Sequence, residues 1–163
     1  MDAITGDRGE VADAKPLTDH GLKTELFDDL DLFHGVKVRY DHVIDWSWKE
    51  DAPDALLPKD QFSIRWSGWL KAPGAGQYFI GLKSDQFCRF WLDGKLVYDA
   101  WKSSPQRPLE DALQLDLTER PHEIRIDYKH IDGAAFIQLF WWQTGVFEKQ
   151  PIPAEALYSA PPP

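Results

Sequence analysis

The residues whose types could do chemistry lie mostly in the second half of the chain. Asp85-Gln86 is a polar pair standing directly before the apolar run Phe87 to Leu92, and it reads either as a ligand or metal site or as the polar turn that opens a hairpin. His130 and Asp132 share a late loop that ends at Gly133, where a histidine is a ligand contact or simply a solvated ring. Trp101 sits in a polar connection with Lys102 and Ser103. An indole in such a place can stack on the apolar face of a pyranose while nearby Asp, Gln or His groups hydrogen-bond the hydroxyls. Its other reading is a loop anchor. Arg65 and Arg89 alternate with apolar residues and read as sandwich-face partners of carboxylates; Trp46, Trp48, Trp66, Trp69 and Trp141 read as core or loop-pinning residues.

Catalytic constellations are thin. The chain holds no Gly-x-Ser-x-Gly elbow, His-Glu-x-x-His pair, Cys/His cluster or phosphate-cradling glycine loop. With 27 acidic residues, some carboxylate pair always falls at glycosidase distance, so that coincidence carries no weight. The expectation is a protein that is not an enzyme. Asp28-Asp29-Leu30-Asp31 suggests a calcium loop, but Leu30, Leu32 and Phe33 stand where such loops need small polar residues and glycine; it reads as a solvated turn. Cys88 is the single cysteine, excludes an internal disulfide, and reads as a small buried hydrophobe.

The elements that must position these groups are strands. Val36, Val38 and Tyr40 alternate with Lys37 and Arg39, and Phe62, Ile64 and Trp66 alternate with Ser63, Arg65 and Ser67. The same period of two runs through Tyr78 to Leu82, Cys88 to Leu92, Leu113 to Leu117 and Ile124 to Tyr128. Asp93-Gly94 predicts a two-residue hairpin turn of positive φ, with Leu96 to Asp99 on its far side. Ala135 to Trp142 is apolar on both faces and predicts a central strand. Residues 44–59, with Pro53 and Pro58, read as an ordered loop carrying Trp46 and Trp48, and residues 102–111 as a second long connection. No window carries a long helical period. The fold expected is all-β, an antiparallel sandwich or barrel in a single domain.

Its 163 residues suffice for one core without staples. A net charge of −9, with no basic cluster, argues against nucleic acid and anionic membranes. No run approaches a membrane span, so no membrane insertion is expected, and Met1 to His20 lacks the basic and apolar segments of a signal peptide. Residues 1–19 read as a linker or disordered segment, 20–159 as the sandwich and 160–163 as a Pro-rich tail, the ends looking like excision points from a larger protein.

Several separated strings, in order, resemble the PA-fourteen (PA14) domain family. Gly21-Leu22-Lys23-Thr24-Glu25-Leu26-Phe27-Asp28 is similar to its opening strand, Ile44-Asp45-Trp46 with Trp48 to the loop that follows, and Phe62-Ser63-Ile64-Arg65-Trp66-Ser67-Gly68 to its most recognisable strand. Gly76-Gln77-Tyr78-Phe79 and the hairpin from Ser84-Asp85-Gln86 through Asp93-Gly94 to Val97 continue the likeness. Tyr128, Gly133-Ala134, Leu139-Phe140-Trp141, Ile152-Pro153 and Leu157-Tyr158 complete it.

The resemblance implies a β-sandwich that recognises glycans or proteins. In the family's lectins two adjacent aspartates hold Ca²⁺, which in turn holds sugar hydroxyls. Here those positions are Asp85 and Gln86, so one charge is missing from a site that must supply about 6–8 oxygen ligands; Asp132 is the residue that could restore it. The expected metal set is therefore Asp85, Gln86 and Asp132, with Ca²⁺ as the candidate cofactor. The expected ligand site is Asp85, Gln86, Trp101, His130 and Asp132, with a glycan or polysaccharide as partner beside the flanking domains of a parent protein. Extracellular or cell-envelope location follows from the same resemblance. Gln86 keeps a second reading open, a structural or protein–protein interaction domain with neither sugar nor metal site. A third is a substrate-shaping insert in a glycosidase.

Overall fold

A computed structural model of the chain describes residues 11–15, 18–102 and 108–163. In chain order the strands are β1 (Val11–Ala12), β2 (Leu22–Phe27), β3 (Gly35–Asp41), β4 (Asp45–Lys49), β5 (Phe62–Leu70), β6 (Gly76–Ser84), β7 (Phe87–Leu92), β8 (Lys95–Ala100), β9 (Leu109–Leu117), β10 (His122–His130), β11 (Ala135–Gln143), β12 (Phe147–Pro151) and β13 (Leu157–Tyr158). One sheet runs β1-β3-β2-β5-β10-β7-β8, with β13 also on β5; the other runs β12-β11-β6-β9, with β4 also on β11. The pairings are antiparallel.

The period of two explains the layering. Phe62, Ile64 and Trp66 of β5 and Ile124, Ile126 and Tyr128 of β10 are at most 1 % exposed, which leaves Arg65, Ser67 and Trp69, and Glu123, Arg125 and Lys129, on the outer face. Fully burying one large apolar side chain contributes about 1.5–3 kcal/mol, so this double row holds the two sheets together. Cys88 lies in the same core, where burial pushes its thiol up to about 12. Asp93 (φ 52°) and Gly94 (φ 79°) form the left-handed hairpin turn that joins β7 to β8. β11 is the central strand of the second sheet, flanked by β6 on one side and β4 and β12 on the other.

Three expectations are corrected. Part of the 44–59 loop is a strand: β4 pairs with β11 and buries Trp46 and Trp48, which stack with ring centroids 5.3 Å apart. The β9 strand begins at Leu109, directly after Pro108, so the connection expected over 102–111 ends three residues sooner; residues 103–107 lie outside the described set. Val11–Ala12, within the expected linker, pairs with Asp41 and Tyr40 of β3. The rest of the β4–β5 connection is pinned by buried charge. Arg39 Nε donates to Asp41 Oδ1 (2.9 Å) and Arg39 Nη1 to the Pro53 carbonyl (2.9 Å), while Trp66 Nε1 donates to Asp41 Oδ2 (2.9 Å).

Candidate functional site

Among the connections that carry the chain from one sheet to the other are β4–β5, β6–β7, β8–β9 and β10–β11. The first, second and fourth of these crossings meet at one corner of the sandwich, bringing Asp60, the Asp85-Gln86 pair and the Ile131–Asp132 turn together. Asp85 Oδ1 accepts from the Tyr128 hydroxyl (2.6 Å) and the Phe136 amide (3.0 Å); its Oδ2 lies 2.7 Å from His130 Nδ1. His130 Nε2 is 3.1 Å from Asp60 Oδ1. The Gln86 amide closes the other side, with Nε2 donating to the carbonyl and Oδ1 of Asp132 (3.1 Å each) and Oε1 accepting from the Ile131 amide.

The sequence reading places Asp85 and Gln86 in both the expected ligand site and the expected metal set, and the structure turns them inward. His130 is fully buried and Gln86 nearly so, leaving Asp132 as the exposed member of the expected set. The cause is hydrogen-bond satisfaction: a buried carboxylate demands partners, and Tyr128, His130 and the Phe136 amide supply them. Burial works against charge on His130, but the Asp85 and Asp60 carboxylates outweigh it and hold the ring above the ordinary histidine range. Burial and the adjacent Asp85 charge push the Tyr128 phenol well up.

These residues do not fit a calcium ion. Both Asp85 oxygens are committed, the Gln86 oxygen faces a backbone N–H, and the Gln86 NH₂ presents hydrogens to the Asp132 carboxylate. Among the described residues no group of three or more His, Cys, Asp or Glu side chains is placed to hold a metal.

Trp101 is half-buried on the outer face of the eight-stranded sheet. Its ring packs against Lys129 (4.4 Å) and Arg89 (4.1 Å); Arg89 also meets Trp91 (5.0 Å), and Trp91 meets Arg125 (4.1 Å). Lys129, Trp101, Arg89, Trp91 and Arg125 thus form an alternating row of cations and indoles, each contact worth about 0.5–1 kcal/mol where exposed. Beneath them the Asp127 carboxylate is fully buried and takes bonds from Arg65 (2.8 and 3.2 Å), Arg89 (3.0 Å) and Arg125 (3.3 Å). Arg65 and Arg89 are therefore the face ion pairs that the sequence implies. Burial pushes the Asp127 carboxyl up, but the arginines prevail and hold it below the usual carboxylate range.

Beyond Arg125 the face opens into a cleft of about 400 Å³ lined by Lys23, Ser67, Trp69, Trp91, Glu123 and Arg125 among others. Sequence reasoning put Trp69 among the core or loop-pinning residues, whereas the structure sets it half-buried on the outer face, and it gave Trp91, Asp60 and Tyr128 no site role. A signal existed for the two tryptophans: Trp66 and Phe90 point inward, so strand parity puts Trp69 and Trp91 outward. Asp60 and Tyr128 had none, being joined to Asp85 only by the crossings.

The sequence profile of the PA14 domain matches residues 18–153. An anti-sigma-I factor of Acetivibrio thermocellus is 30 % identical over 141 residues, covering 86 % of this chain and 22 % of that protein. A solved anti-sigma factor domain-containing protein is 32 % identical with a TM-score of 0.80, covering 89 % of this chain and 49 % of that one. The A domain of epithelial adhesin 9 from Candida glabrata, solved in complex with Galβ1-3GlcNAc, shares the fold at 15 % identity and a TM-score of 0.68, covering 94 % of this chain and 95 % of that one. The chain therefore spans about a fifth of the curated relative and about half of the solved anti-sigma chain.

Proposed function

Because the chain belongs to the PA14 domain family, we propose that it is a non-catalytic domain that binds extracellular polysaccharide as the sensing part of a larger regulatory protein. The observation that carries this reading is the outward row on the eight-stranded sheet, in which Trp101 and Trp91 are held by Lys129, Arg89 and Arg125. Rings locked in place before contact give apolar area at small entropic cost. Similarity to anti-sigma factor proteins supports the sensing role, and likeness of fold to an adhesin solved with a disaccharide supports a sugar as the signal. Binding at this face needs no metal. The test is affinity electrophoresis of the domain through gels containing soluble plant and microbial polysaccharides, with and without chelator. Retardation by at least one polymer, unchanged by chelator, is expected.

The closed Asp85–Gln86 corner favours a second reading, a structural or protein–protein interaction domain. Passage through every gel without retardation would leave that reading in place.

A further inference from the structure

We propose that the cleft between Trp69 and Trp91 is a carbohydrate subsite for neutral, hydroxyl-rich sugar rings, on the open face of the sheet and away from the loop corner. The inference rests on the polysaccharide-binding reading and adds a location and a ligand class. The cleft has a local cause. Strand β5 is flanked by β2 as far as Ser67 and by β13 from Trp69, so its neighbour changes at Gly68. The start of β2 and the end of β13 abut there, and the face dips between Lys23 and Ser159. Gly68 is required at the junction, because a Cβ would lie 2.4 Å from the Tyr158 carbonyl oxygen.

What lines the dip is suited to sugars. Trp69 pairs in register with Glu123, and Arg125 pairs with both Ser67 and Trp91, so two indoles and a set of polar side chains face the same space. Arg89 and Arg125 brace Trp91. Among the described residues the Lys23 ammonium, the Glu123 carboxylate and the Ser67 hydroxyl have no hydrogen-bond or ion-pair partner, and Arg125 Nε is buried without one. Donors and an acceptor left open around apolar rings form the combination that binds adjacent hydroxyls, and the cleft volume falls within the roughly 300–1,000 Å³ of small-ligand sites.

Charge selects the class of sugar. Lys23 and Arg125 flank Ser67 in one row across the sheet, Glu123 faces the same cleft beside Trp69, and the whole chain carries −9, so a uronate polymer meets a carboxylate in the cleft and repulsion at long range. A peptide strand is disfavoured as well, since the floor is formed by the paired interior strands β5 and β10 and offers no free edge.

The test measures retardation of wild type, Trp69→Ala, Trp91→Ala, Glu123→Gln and Asp132→Asn on a neutral polymer that retards wild type, and on a uronate polymer with its carboxyl-reduced counterpart. Folding of each variant is checked by its melting temperature, with Trp91→Phe replacing any alanine variant that fails. Expected are roughly tenfold or greater weakening for either tryptophan variant, a smaller loss for Glu123→Gln, no change for Asp132→Asn, and tighter binding of the reduced polymer than of its uronate parent. Binding that survives both tryptophan changes but is lost in Asp132→Asn overturns the location, and preference for the uronate form overturns the ligand class. Either result leaves the general reading intact, whereas failure of wild type on every polymer removes that reading first.

Discussion

His130 joins Asp85 to Asp60: its Nδ1 lies 2.7 Å from Asp85 Oδ2 and its Nε2 3.1 Å from Asp60 Oδ1, so one buried ring ties the β6–β7 crossing to the β4–β5 crossing. With a carboxylate oxygen at each ring nitrogen, the corner favours the protonated form of the ring. Removing one partner of a buried charge pair leaves the other uncompensated and costs about 3–5 kcal/mol. His130→Ala is expected to lose about that much in urea unfolding. A loss under about 1 kcal/mol would show that the ring bears no such charge.

The same ring sets a pH dependence. The folded pKa lies above the ordinary value of about 6.5, because the two carboxylates outweigh burial. Stability from this ring is thus complete below about pH 6.5 and fades as pH rises through the folded value. Titration of the His130 ring by NMR is expected to place its midpoint above that of an unfolded peptide, and a lower midpoint contradicts the arrangement.

Calcium should be without effect. A site saturated about 100-fold adds about 2.7 kcal/mol to stability, which at this size raises Tm by roughly 2–4 °C per kcal/mol. Scanning fluorimetry with millimolar CaCl₂ and with chelator is expected to give superimposable curves. A rise of several degrees with calcium would mean that Asp85 and Gln86 can reopen to coordinate it.

Asp127 is the electrostatic anchor of the outer face, with three arginines on one buried carboxylate. Asp127→Asn should cost about 3 kcal/mol or more and loosen the tryptophan row, visible as altered near-ultraviolet circular dichroism. The carboxyl titrates below its ordinary value, so its contribution is present above about pH 4 and is lost as pH falls through the depressed value.

Gly68→Ala tests the strand junction. The new methyl would meet the Tyr158 carbonyl oxygen at 2.4 Å and Leu22 Cδ2 at 2.7 Å. Overpacking of this kind costs about 1–3 kcal/mol, and relief should come through release of β13, detected as faster proteolysis after Leu157. Unchanged proteolysis and stability would show that β13 is not held as tightly as the contact implies.

Much of this molecule could be read from residue order. The alternation in β5, β7 and β10 fixes which side chains face the core, and turn chemistry at Asp93-Gly94 fixes a hairpin. Strand β4 escaped because its prolines, Pro53 and Pro58, lie just beyond it and its tryptophans are buried in a row that reads equally well as a loop. For the candidate site, the family resemblance grouped Asp85, Gln86, Trp101, His130 and Asp132; the folded chain brings four of these together by hydrogen bonds and leaves Trp101 against Arg89 and Lys129, while Arg65 and Arg89 meet the Asp127 carboxylate.

Which way those groups face was decided by tertiary contacts alone. Asp85 turns inward because Tyr128, 43 residues on, and the Phe136 amide, 51 residues on, satisfy it there. The cleft beside Trp69 exists because two strands from opposite ends of the chain abut on β5. Periodicity is a local property and reports the face of a strand. The direction of a polar side chain at a sheet crossing, and the gap between two abutting strands, depend on partners that only the folded chain brings together.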